Sequence, residues 1–201
     1  MKKLIILFGV LFCCSISYAQ TIYTDGAVIS ADSITYEVIR DNRFFFALKN
    51  IENEYCEQPI VDLENKEVDP FTVEMGEFSE SSLYKAVFET FTKEEIENFS
   101  NNRTILTVYL TKNNVGELLE VAFMVRATPL TLSIPPEKFA AFEKNLKKYL
   151  RWTTVTEDEK KLKFMHESLR VPFAALADVR VLELNPEAER VPDSLKVVGI
   201  N

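Results

Sequence analysis

The chain has 201 residues, of which 31 are Asp or Glu and 23 Lys or Arg, and its formal net charge is −8. That acidic balance argues against duplex nucleic acid as a partner. A hydrophobic fraction of 47% argues against disorder, and the length suits one domain burying about 70% of the surface its unfolded chain exposes.

Residues 1–19 read as an export address. Lys2 and Lys3 precede an apolar run from Leu4 to Cys14, and Ser17-Tyr18-Ala19 supplies the small residues of a cleavage site. The run is too short to span a bilayer, which takes about 20 residues. The expected mature chain is Gln20 to Asn201, a single α+β domain, periplasmic, cell-surface or secreted, and not an integral membrane protein after cleavage. Cleavage would remove Cys13 and Cys14 and leave Cys56 as the only thiol, so no intrachain disulfide can form. Cys56 is then either a buried small hydrophobe, the commoner fate of a free cysteine, or an intermolecular thiol.

In the mature chain, Ile34, Tyr36 and Val38 alternate with Thr35 and Glu37, and after Asp41-Asn42 a second apolar run extends from Arg43 to Ile51. The pattern predicts a hairpin. Within it, Phe44-Phe45-Phe46 is unusual, because consecutive strand residues point to opposite faces. All three rings belong to the core if both faces are covered; otherwise they form an exposed aromatic patch. Residues 52–80, broken by Pro59, Pro70 and Gly76, read as mostly loop with one short strand. A helix is expected from about Ser81, with Leu83, Val87 and Phe88 at helical spacing, and a second behind the capping box Thr92 to Glu95.

Thr104–Thr111 and Glu117–Arg126 read as central strands joined by the Asn113-to-Gly116 turn. Pro135-Pro136 opens a helix whose buried stripe is Phe139, Phe142, Leu146, Tyr149 and Leu150. Lys144, Lys147, Lys148 and Arg151 crowd its last turns, which suits the helix dipole better than an anion site. A further capping box, Thr156 to Glu159, is expected to open a helix carrying Leu162, Met165 and Leu169, followed by a strand over 179–184. The fold expected is an antiparallel β-sheet packed by helices, with a hairpin-then-helix arrangement occurring twice.

Charge is uneven along the chain: residues 20–100 hold 18 acids and 6 bases, residues 101–201 hold 13 and 15. Two lobes, 20–100 and 101–201, fit this asymmetry, and so does a solvated acidic face.

Few chemistries can be written from these residues. Gly26, Gly76, Gly116 and Gly199 are isolated, so neither a P-loop nor a dinucleotide cradle exists. One His and one Cys cannot make a zinc site without several carboxylates. Asp62, Glu64, Glu67 and Asp69 lack the spacing and glycine of an EF-hand. No cofactor, metal or catalytic residue is assigned. His166, the only imidazole, reads as structural, since nucleophilic catalysis also needs a nucleophile and an orienting group.

Thr104-Ile-Leu-Thr-Val-Tyr-Leu, the turn ending Gly116-Glu117, Glu120-Val-Ala-Phe-Met-Val and the helix reaching Leu150-Arg151-Trp152 resemble the strand, turn, strand, helix unit of TonB C-terminal-like domains over about fifty residues. No membrane anchor or proline-rich spacer precedes the unit, so an energy-transducing role does not carry over. The whole chain resembles small exported proteins of Gram-negative bacteria classed as domains of unknown function, a resemblance that implies export. The expected function is a non-enzymatic binding or protein-interaction module with a protein or glycan partner in the cell envelope, and Phe45 and Tyr55 are the candidate partner-binding residues. The alternative is a carboxylate-dependent hydrolase acting on an envelope glycan, which needs only two carboxylates about 5 to 9.5 Å apart.

Overall fold

The computed structural model describes residues 22–183. The export address and the last residue of the expected 179–184 strand, Leu184, lie outside that range. Six strands form one antiparallel sheet: β1 (Val28–Ala31), β2 (Ile34–Asn42), β3 (Phe45–Asn50), β4 (Leu106–Asn113), β5 (Leu118–Arg126) and β6 (Phe164–Arg170), in the order β1-β2-β3-β5-β4-β6. Five α-helices accompany it among the described residues: α1 (Glu80–Phe88), α2 (Lys93–Asn101), the single turn α3 (Pro129–Leu132), α4 (Pro136–Tyr149) and α5 (Phe173–Glu183). This is an α+β fold with a sheet packed by helices, and each of the hairpins β2–β3 and β4–β5 is followed by helix. Pairing of β3 with β5 runs the sheet through both halves of the sequence.

Alternation fixes the register. Val38 pairs with Leu48, Leu48 with Phe123, Phe123 with Val108 and Val108 with Leu169, giving one apolar row across five strands. A one-residue slip would turn this row to solvent. Above it the Phe123 ring lies 5.5 Å from that of Phe139 and 5.7 Å from that of Phe142, both on α4. Phe91 links onward to Phe142, Phe99 and Phe173, joining α4, α2 and α5 into one aromatic layer. α4 starts at its prolines as expected. Arg151 finishes it by donating to the carbonyls of Lys147, Lys148 and Leu150, which assigns that part of the basic run to helix-end chemistry.

The opposite face is only half covered. The segment after β3 folds back over it, because the Glu120 carboxylate on β5 accepts the N–H groups of Glu54 and Tyr55. The chain then wraps the sheet edge, making bridges from Val61 to Glu67 and from Asp62 to Leu162. No strand forms at Phe71-Thr72-Val73; Asp69 caps a 3₁₀ turn over Pro70–Thr72 instead.

Several expectations are corrected. The Thr156–Glu159 box does close, each side chain meeting the other's backbone N–H. It opens only the turn Glu159–Lys161, and residues 164–170 are strand β6, not helix. Leu162, Met165 and Leu169 mimic helical spacing because the residue between Met165 and Leu169 on the core side of the strand is the charged Glu167, which hides the alternation. Residues 179–183 belong to helix α5, not to a strand: Phe173 and Leu176 are buried against α2, and this packing overrides the β-branched character of Val179 and Val181. The three phenyl rings part company: Phe46 is buried, Phe45 half-buried and Phe44 53% exposed. Strand β1, unmarked by any strong hairpin dipeptide, turns into β2 through Asp32, whose φ is +52°.

Two charged groups are sealed beside the core. Glu143 on α4, wholly buried, accepts from the Tyr36 hydroxyl at 2.8 Å and the Asn50 amide at 3.0 Å and pairs with Lys147 at 2.8 Å. Burial, then the Glu143 charge, raises the Tyr36 hydroxyl above its ordinary range and keeps it a neutral donor. Lys112, 1% exposed, lies 2.8 Å from Glu159 and 2.5 Å from Glu167, with its ammonium 4.6 Å from the centre of the Trp152 ring. The indole N–H donates to Glu167 and the Gly76 N–H to Glu159, tying the 70–79 and 152–161 segments to the sheet. A Cβ at position 76 would stand 2.2 Å from the Thr154 carbonyl oxygen, so the approach admits only glycine.

Lys112→Met is expected to cost about 3–5 kcal/mol in urea denaturation, since it strands the buried Glu159 and the partly buried Glu167; a loss near zero would show that water reaches the cluster. Burial by itself would raise the Glu159 carboxyl, but the Gly76 N–H, the Lys112 ammonium and the Thr156 N–H outweigh it and hold the group below the ordinary 4.5. A depressed carboxyl stabilises the fold above its unfolded pKa, and that contribution is lost as pH falls below 4.5 through the folded value. Glu159→Gln should therefore flatten the acid limb of the stability curve, and an unchanged limb would assign acid unfolding to other groups.

Candidate functional site

A cleft of about 410 Å³ opens at the end of the sheet where β4 begins and β5 and β6 finish. Three local features build it. Helix α2 ends in a reversal in which the Arg103 N–H bonds the Ser100 carbonyl and the Thr104 N–H that of Phe99. This is the Schellman pattern, with Arg103 in the left-handed position that glycine usually takes, at φ +48°. The chain then enters β4, flanked on one side by Arg126 of β5, whose N–H bonds the Ile105 carbonyl, and on the other by Val171, whose N–H bonds that of Leu106. Arg126 and Arg170 thus stand on the two neighbours of β4, with about 10 Å between their strands.

Arg103, Arg126 and Arg170 all line the cleft, and all are exposed. Each guanidinium is charged at any physiological pH. None has a carboxylate or other acceptor among the described residues, and no Asp or Glu lines the cleft. Many of the lysines, by contrast, are spent on acids: Lys49 on Glu57, Lys138 on Glu95, Lys144 on Asp32, Lys160 on Glu157 and Lys161 on Asp158. The first turn of α5 also lines the cleft through Phe173 and Ala174, and its leading N–H groups add partial positive charge. Thr104 Oγ1, shielded from water and without a hydrogen-bond partner among the described residues, belongs to the same wall. In a chain of net charge −8 this is a concentration of unneutralised cations, suited to holding an anion by bidentate hydrogen bonds.

Sequence reasoning did not single out these arginines. They are isolated in the chain, at the ends of α2, β5 and β6, and only the strand order brings them together. The one local signal is Asn101-Asn102-Arg103, a helix stop with arginine where glycine would fit better.

The residues that were singled out lie elsewhere. Phe45, half-buried, pairs in register with Arg126 on the open face. Tyr55 belongs to the covering segment near Glu120, about 20 Å along the sheet, with its ring 4.9 Å from that of Phe164. The two do not share a patch. His166 is on β6 and uses both ring nitrogens, Nε2 toward the Gln58 carbonyl at 3.0 Å and Nδ1 toward the Thr111 hydroxyl at 3.1 Å. The carbonyl can only accept, so Nε2 carries the proton and Thr111 donates to Nδ1. Cys56 is free and half-buried, and burial pushes its thiol up, away from the reactive thiolate. Asp62 accepts the N–H groups of Glu64 and Lys66 and shapes a turn. Among the described residues no group of three or more His, Cys, Asp or Glu is arranged to hold a metal ion, and no helix is long and apolar enough to cross a membrane. The buried carboxylates Glu143 and Glu159 and the partly buried Glu167 are engaged by protein donors, and Glu120 is engaged through Oε1 while its buried Oε2 has no hydrogen-bond partner among the described residues.

Fold and cleft together define a half-covered α+β module with a cationic pocket at one sheet end. A solved structure of a DUF5043 family protein from Bacteroides uniformis ATCC 8492 has a similar fold, with a TM-score of 0.60 and 22% sequence identity over 75% of this chain and 92% of that one. That neighbour belongs to a domain of unknown function, and at this identity the likeness is one of fold. No protein-family model matches the chain, and no curated protein does.

Arg103→Gly should stabilise the fold by about 0.5–1 kcal/mol, because glycine takes the left-handed conformation without steric cost. Thermal denaturation would then show a rise of about 1–4 °C. An unchanged or lower midpoint would mean that the Arg103 side chain stabilises the native state by as much as its backbone strains it.

Proposed function

We propose that this protein is an exported, non-enzymatic binding module of the cell envelope that captures a small anionic ligand between Arg103, Arg126 and Arg170. The observation that carries the reading is the convergence of three exposed guanidinium groups, none with an acceptor among the described residues, on one cleft. The strained backbone at Arg103 supports it, because a left-handed non-glycine residue is retained at a stability cost that its side chain must offset elsewhere. Export rests on the Lys2-to-Ala19 segment and its fit to a cleaved signal. A binding role is favoured over glycan hydrolysis because no Asp or Glu lines the cleft.

Inorganic pyrophosphate is a suitable first probe. Titrated into the mature protein, it should raise the melting temperature, with about 1.4 kcal/mol of added stability at ten times its Kd. The effect should weaken as salt screens the charges and be lost in the double variant Arg126→Ala, Arg170→Ala. A shift of equal size in that variant would sink the proposal.

A further inference from the structure

We infer that the anion held in this cleft carries a hydrocarbon chain, so that the natural ligand is an anionic amphiphile and not a bare inorganic ion; this rests on the anion-binding reading above. Between the arginines the walls are apolar. Phe99, Val171 and Phe173 form the floor, with Ile105 and Pro172 half-buried above it. An inorganic ion held by the guanidinium groups would leave this apolar floor uncovered. A ligand with an apolar body would instead cover the floor and reach the rim of guanidinium groups with its head. The volume of about 410 Å³ falls at the small end of ligand pockets, a size for a metabolite-scale chain and not for a polymer.

The surface beyond the rim continues the pattern. Arg170 pairs with Thr107, Thr107 with Met124 and Met124 with Ala47, which pairs with Ile39. Tyr109, one row further along β4, is 43% exposed, and its hydroxyl rests on the Met124 sulfur. The half of the open face next to the cleft thus carries Phe45, Ala47, Tyr109 and Met124, partly exposed among polar residues such as Thr107 and Ser168, whereas the half nearer Tyr55 is closed by the covering segment.

The test is a chain-length series of linear alkyl phosphates, kept below their aggregation concentrations and compared with inorganic phosphate by isothermal titration calorimetry. Each methylene that seats on the floor should tighten binding about fourfold until the cleft is full. Ile105→Ser should flatten the series, and the Arg126→Ala, Arg170→Ala double variant should weaken every member. Equal affinity along the series, with phosphate still bound, would overturn the amphiphile and leave the anion site standing. No binding by any member, phosphate included, would remove both. Chain-length dependence that survives in the double arginine variant would show nonspecific apolar adsorption and overturn the inference.

Discussion

The ring of Phe123 is the contact on which the rest of the fold depends. It sits at the middle of a five-strand apolar row, wholly buried, and meets Phe139 and Phe142 of α4 from above and Tyr36 of β2 from the side. Burial of aromatic surface is the largest favourable contribution a small core can gather. The sheet faces are therefore unequal by construction. One is sealed by four helices through a continuous set of rings, and the other is left to a single loop segment and to solvent.

That asymmetry explains where the buried charges sit. Glu143 and Lys112 point to the sealed side, where no water compensates them, and each is surrounded by several partners from different elements. Such clusters add little net stability compared with apolar packing, but they are intolerant of displacement. Lys112 holds together pieces of chain with scarcely any regular structure, the 70–79 and 152–161 segments, and so substitutes for a hydrogen-bond ladder there. The Thr156–Glu159 box closes inside this cluster, which is why it caps a turn and not a helix.

The cleft arises where the apolar layer runs out. Where α2 ends and β4 begins, beside the ends of β5 and β6, the boundary side chains are arginines. Boundary positions tolerate such residues because they are not required for packing, and that same freedom leaves their guanidinium groups exposed.

The sequence by itself determined the elements with strong local signatures. The 34–51 and 104–126 hairpins, the proline-started α4 and the Thr92 capping box all follow from spacing and capping chemistry, which are properties of neighbouring residues. It also determined what the protein lacks the residues to do, since glycine, histidine and cysteine counts do not depend on folding. Tertiary structure alone decided that 164–170 is a strand, because Glu167 finds its counter-charge on β4, and that 179–183 is helical, because α5 packs against α2. It alone decided the site. Arg103, Arg126 and Arg170 are separated by 22 and 43 residues, and only the pairing of β5 and β6 with β4 sets them around one cleft. Charge convergence is a property of strand order, and strand order is fixed by the burial of distant residues on a common core.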